Sequence, residues 1–66
     1  MAHNKDLLKI KKIIKKGIGD NYNAGFWFPR KLTEGEMKEL DKLYKFNHRP
    51  FMEKFGQFCY LFYKLN

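Results

Sequence analysis

Apolar residues recur at helical spacing over the first part of the chain, where residues 4–16 predict an amphipathic helix. Gly17 suits the end of this helix, because glycine readily adopts the left-handed conformation that often follows a helix. The apolar face comprises Leu7, Ile10, Ile14 and Ile18. The cationic face comprises Lys5, Lys9, Lys12, Lys15 and Lys16. The segment therefore offers one face for packing and one for solvent or an anionic partner.

A second helix is indicated by a start signal at residue 33. Thr33 and Glu36 have the spacing of a capping box, in which each side chain accepts a hydrogen bond from the other residue's backbone N–H. Leu32 and Met37 have the spacing of a hydrophobic staple across the same turn. The apolar face predicted for this helix, which we expect to reach about residue 45, comprises Met37, Leu40, Leu43 and Tyr44.

The C-terminal aromatic residues admit two interpretations. A helical spacing of three or four positions relates Phe51, Phe55, Phe58, Phe62 and Leu65. Residues 59–63 are also rich in aromatics, which favour strands. We prefer the helix because its pattern is longer. The sequence then predicts one compact all-α domain over residues 1–66, with three helices and the aromatic-rich helix at its centre. The alternative is a small α+β domain, with residues 26–28 and the C-terminal aromatic run as strands.

Three aromatic residues at positions 26–28 stand before a proline. The residue before a proline is disfavoured in a helix, so this run is predicted to be a short extended segment. Side chains alternate along such a segment, so the three rings cannot all point the same way. With the cations that follow, an exposed ring predicts a second binding surface of Trp27, Arg30 and Lys31. The competing interpretation is that all three rings fill the core of this small chain.

The sequence shows no catalytic or metal-binding motif. Cys59 is the only cysteine, which excludes an intrachain disulfide, and its apolar neighbours indicate a small buried side chain. With His3 and His48 it forms no recognised zinc-ligand spacing. A lone imidazole without a relay group does not predict catalysis. We therefore expect a protein that is not an enzyme, with no metal, no cofactor and no small-molecule substrate.

The charge balance favours anionic partners. Fourteen Lys and Arg against seven Asp and Glu leave a formal net charge of +7. The leading hypothesis is a small basic protein that binds nucleic acid or a nucleoprotein complex, with the helix lysines on phosphates. The competing interpretation of these lysines is a solvated face that maintains solubility. A lone cysteine and the lack of a secretory signal predict a location in the cytoplasm, nucleoid or nucleus, without secretion.

A second hypothesis belongs to a different functional class. Many aromatic residues on a chain without chemistry of its own also fit an adaptor or inhibitor, such as a virus-encoded protein. It would bind an acidic surface of a larger enzyme through an aromatic and basic patch. Attachment of the first helix to a membrane is not favoured, because that helix lacks the Trp or Phe anchors of interfacial helices.

Overall fold

The fold is described over residues 2–65 of a computed structural model, with side chains described from Asp6 onward. Over this range the chain forms two helices and a four-stranded antiparallel sheet. The expected all-α bundle of three helices is therefore wrong, and the α+β alternative is correct. In chain order the elements are α1 Ala2–Ile18, β1 Asn23–Phe28, α2 Glu34–Leu40, β2 Tyr44–Lys45, β3 Met52–Lys54 and β4 Gln57–Lys64.

The long C-terminal strand β4 is the centre of the sheet. Along one edge it pairs with β1, in a register that places Asn23 opposite Tyr63 and Phe28 opposite Phe58. The other edge is shared by two short strands, β3 near the start of β4 and β2 near its end. Every part of the sheet is thus joined through β4, so its alternation of side chains decides which residues lie on each face.

The two faces of the sheet differ in what covers them. Phe58, Tyr60 and Phe62 of β4 point to the face on which both helices pack, here called the covered face. Its side chains join those of the helices in one core: Ile10, Ile14, Phe28, Leu32, Leu40, Tyr60 and Phe62. The opposite side of β4 carries Gln57, Cys59, Leu61 and Tyr63. No helix within residues 2–65 lies on this second face, here called the open face.

Helix α1 is longer than its apolar pattern predicts. It continues through Gly17 to Ile18, and the left-handed residue after it is Gly19, with a φ of 51°. Gly17 has a different use, because a Cβ at this position would overlap with the ring of Phe26 on β1. The missing side chain thus permits close contact between the last turn of α1 and the sheet.

Helix α2 begins as predicted and ends early. The capping box is confirmed: Thr33 Oγ1 accepts from the backbone N–H of Glu36 at 3.1 Å, and Glu36 Oε1 accepts from that of Thr33 at 2.9 Å. The helix ends at Leu40, and Leu43 is exposed. Tyr44 instead joins β2, where its backbone pairs with the end of β4 and its ring packs edge-on against the buried Phe62, at 5.9 Å between centroids.

The predicted third helix is replaced by the hairpin of β3 and β4. Its two-residue turn is Phe55-Gly56, and both residues have positive φ, at 51° and 74°, as a type I′ turn requires. The helical spacing of the aromatic residues was a coincidence, because Phe62 is fully buried whereas Phe55 is 93% exposed. The strand prevails because aromatic side chains favour strands and both edges of β4 find partners.

Candidate functional site

Four lysines on α1 form a cationic surface on the side of the helix that faces away from the sheet. Ile10 and Ile14 are buried against the covered face, and the lysines project from the rest of the helix. All four are exposed, and none takes part in a salt bridge with any side chain described from residue 6 onward. We call this the lysine surface: Lys9, Lys12, Lys15 and Lys16. The side chain of Lys5, predicted to belong to it, lies outside the described residues.

The acidic side chains near α1 do not neutralise these lysines. Asp6, in the first half of the helix, contacts Arg30 at 3.4 Å. The other ion pairs among the described side chains lie elsewhere: Arg30 with Glu36, Lys42 with Glu39, and His48 with Asp41. Among the side chains described from residue 6 onward, no acidic group pairs with the lysine surface, so its lysines are open to an anionic partner.

Arg30, predicted to be a binding residue, is engaged within the fold. Its guanidinium donates to both carboxylate oxygens of Glu36, each at 2.9 Å. Glu36 is only 3% exposed and also accepts from Thr33, so its carboxylate is well provided with donors. The hydrogen bonds from Arg30 lower the pKa of Glu36, and in turn they raise the pKa of Arg30. Arg30 thus links the segment between β1 and α2 to the first turn of α2.

The remaining predicted residues are separated by the fold. Trp27 points to the open face, because it lies opposite Cys59, and its side chain is 44% exposed. The Nζ of Lys31 lies 5.7 Å from the ring centroid of Phe58, which belongs to the covered face. The structure brings Lys9, Lys12, Lys15 and Lys16 together on α1 and places Trp27 on the other side of the sheet.

The open face is apolar with a positive rim. At one level across the sheet, Trp27 and Met52 flank Cys59, whose free thiol is buried. Gly25 leaves room for the sulfur, because a Cβ there would lie 3.2 Å from Cys59 Sγ. In register, the open-face strand positions of the described chain carry two charges, both positive, on Lys45 and Lys54.

One end of the open face forms a cleft beside the β3–β4 turn. The cleft has a volume of about 390 Å³ and is here called the tip cleft; it is lined by Trp27, Lys54, Phe55 and Gln57. The Nζ of Lys54 lies 5.6 Å from the ring centroid of Phe55. Sequence reasoning missed Phe55 because it assigned this residue to a buried helical face. The available signal was the Phe55-Gly56 pair between two apolar segments, which resembles a hairpin turn only weakly.

The described residues offer neither a metal site nor a membrane-spanning helix. No group of three or more His, Cys, Asp or Glu side chains in the described part of the chain is placed to hold a metal ion. Within residues 2–65, neither helix has both the length and the apolar character needed to cross a bilayer. Comparison of the chain with models of known protein families, with curated proteins and with solved structures finds no match.

Proposed function

We propose that this protein binds nucleic acid through the lysine surface of α1, by contacts to phosphates. The observation that supports the proposal is the set of four exposed lysines that form no salt bridge with the side chains described from residue 6 onward. From Lys9 to Lys16 the helix rises about 10 Å, at ~1.5 Å per residue. One strand of duplex DNA presents about three phosphates over that length, at ~3.4 Å per phosphate. The spacing of the charges therefore suits a nucleic-acid backbone.

The chemistry of this surface favours binding without sequence preference. Base edges are read most selectively by the planar, paired hydrogen-bonding groups of Arg, Asn or Gln, although Lys also contacts guanine. The lysine surface has only ammonium groups, which act as point charges. Each phosphate neutralised releases bound counterions, so affinity for duplex DNA falls with salt at a slope of about −0.9 per contact. With three or four contacts, we expect a logarithmic slope of about −3.

The test compares two double variants by fluorescence anisotropy with a labelled, mixed-sequence duplex between about 50 and 200 mM salt. Replacing two lysines of the lysine surface, in K12Q/K16Q, is expected to reduce the salt slope by about 2. The matched control is K38Q/K42Q, which removes the same charge from α2 and the turn after it. We expect this control to reduce the salt slope less than K12Q/K16Q does.

Two outcomes would contradict the proposal. One is the absence of duplex binding by the wild type at about 50 mM salt, where phosphate contacts are strongest. The other is an equal loss of slope in both double variants, since net charge alone would then explain binding. Neither variant removes a core side chain, because all four lysines are exposed, so both are expected to fold as the wild type does.

A further inference from the structure

A second surface of the molecule, the tip cleft on the open face, has the features of a binding site. We propose that it binds an unpaired base of single-stranded nucleic acid, by stacking on Trp27 and Phe55. This inference rests on the proposed function for the class of partner, and it adds a second site with a different preference.

The two rings are accessible and line the same cleft. Trp27 is 44% exposed and Phe55 is 93% exposed, the highest value among the large hydrophobic side chains described. Stacking on an aromatic ring requires the face of a base, which single strands offer and a duplex conceals within its own stack. The cleft is shallow and open to solvent, which suits a flat base laid against two exposed rings rather than an enclosed ligand.

The backbone at Phe55 argues that its exposed ring has a role. Phenylalanine is a poor residue for a φ of 51°, whereas asparagine is the common choice at this position of a type I′ turn. The ring gains no burial in return, since it is almost fully exposed. A strained residue whose side chain contributes nothing to the core is most simply explained by a contact with a partner.

The polar groups around the cleft match a nucleotide. The Nζ of Lys54 lies over one face of the Phe55 ring, so a base can stack on the other, exposed face while Lys54 contacts the adjacent phosphate. Gln57 supplies an amide that can pair with the edge of a base. Lys45 lies at the far end of the open face, opposite Tyr63, and the open-face strand positions within the described chain carry no carboxylate. The charge therefore favours a nucleic-acid strand as the occupant.

Trp27 is the only tryptophan of the chain, so its fluorescence reports on the tip cleft directly. We would titrate the protein with single-stranded oligothymidine of about eight nucleotides and with a duplex of equal length. Quenching by the single strand and none by the duplex is expected, because the lysine surface lies on the other side of the sheet. Phe55→Asn should weaken single-strand binding about tenfold and leave duplex anisotropy unchanged.

The matched control is Phe51→Asn, which alters another exposed phenylalanine outside the cleft and should bind single strands as the wild type does. Equal quenching by duplex, or wild-type binding by Phe55→Asn, would overturn the proposal. Quenching by polyglutamate that competes with the oligothymidine would also overturn it, in favour of an acidic protein partner.

The two proposals fail separately. Duplex binding that depends on Lys12 and Lys16, without any effect of Phe55, would retain the lysine surface and exclude the tip cleft. Single-strand quenching that depends on Phe55, without duplex binding, would retain the cleft and exclude the lysine surface as a duplex site.

Discussion

The covered and open faces of β4 are built from the same kinds of residue but meet different surroundings. Phe62 points to the covered face and is fully buried, whereas its neighbour Tyr63 points to the open face and is only partly buried. Tyr63 makes an edge-on contact with Tyr22, at 5.7 Å between ring centroids. Aromatic content therefore identifies strand-forming segments here, whereas the position of the helices decides which rings form the core.

The two faces also differ in how their polar groups are satisfied. On the covered face the hydroxyl of Tyr60 accepts from the backbone N–H of Leu32 at 3.1 Å, in a buried setting. Throughout the described residues, every buried side-chain nitrogen or oxygen has a hydrogen-bond partner. The open face relies on solvent for its polar groups. Substitutions on the covered face should therefore cost stability, whereas those on the open face should chiefly alter binding.

The largest difference is expected between Phe62→Ala and Tyr63→Ala. Phe62→Ala leaves a cavity in the core and should cost about 3–5 kcal/mol, close to the whole free energy of unfolding of so small a domain. Tyr63→Ala loses the contact with Tyr22 and the partial burial of its own ring, and should cost about 1–2 kcal/mol. Far-ultraviolet circular dichroism with urea titration measures both. Similar costs for the two variants would show that the open face is covered in solution.

The second prediction concerns Glu36, a buried residue in the first turn of α2. Glu36→Gln replaces charge-assisted hydrogen bonds to Arg30 by weaker ones and should cost about 2 kcal/mol at neutral pH. Glu34→Gln, in the same first turn but exposed, should cost no more than about 0.5 kcal/mol. Urea midpoints of the two variants provide the comparison, and equal midpoints would contradict the role given to Glu36.

The same pair of variants predicts a dependence on pH. The pKa of Glu36 lies below its ordinary value of 4.5, because Arg30 stabilises the carboxylate. The unfolded chain then binds the proton more readily, so this contribution is complete above about pH 4.5 and is lost as pH falls through the folded-state pKa. The gap in stability between wild type and Glu36→Gln should therefore narrow in acid. A gap that stays constant from about pH 7 to pH 3 would refute this account.

The parts of the fold that the sequence predicted are those fixed by local contacts. The capping box of Thr33 and Glu36 acts over three residues, so its spacing alone identifies the start of α2. The buried positions of α1 follow from an apolar pattern within one segment. By contrast β4 pairs with β1, more than thirty positions earlier in places, and no local pattern specifies that pairing. The helical spacing of the phenylalanines therefore gave the wrong element.

The same distinction applies to the candidate sites. The lysine surface was predicted residue by residue because it lies on one amphipathic helix. The tip cleft was not predicted, because Trp27 and Phe55 line one cleft only when the β3–β4 hairpin has folded beside β1. Arg30 was assigned to a binding surface because its sequence neighbours are an aromatic run and a lysine. Its bidentate contact with Glu36, six positions later, became apparent only in the structure.

A third prediction concerns the buried hydrogen bond between Tyr60 and Leu32 on the covered face, which the removal of one oxygen atom tests. Tyr60→Phe removes the hydroxyl that accepts from Leu32 N–H and should cost about 1–2 kcal/mol, because that buried donor is left without a partner. Tyr22→Phe removes a hydroxyl from an exposed ring and should leave the urea midpoint unchanged. Equal midpoints for wild type and Tyr60→Phe would mean that another acceptor replaces the hydroxyl.

The smallest expected effect has the opposite sign. Phe55→Asn places a residue suited to positive φ in the type I′ turn and removes a ring that is not buried, so it should stabilise the fold by about 0.5–1 kcal/mol. The control in the same turn is Gly56→Ala, which imposes backbone strain without a steric contact and should cost about 1 kcal/mol. Thermal unfolding resolves both changes. A gain in stability from Phe55→Asn together with weaker single-strand binding would show that the open face retains a strained aromatic residue for its partner. A loss of stability would instead indicate that the ring supports the hairpin, which would remove the strain argument for the tip cleft.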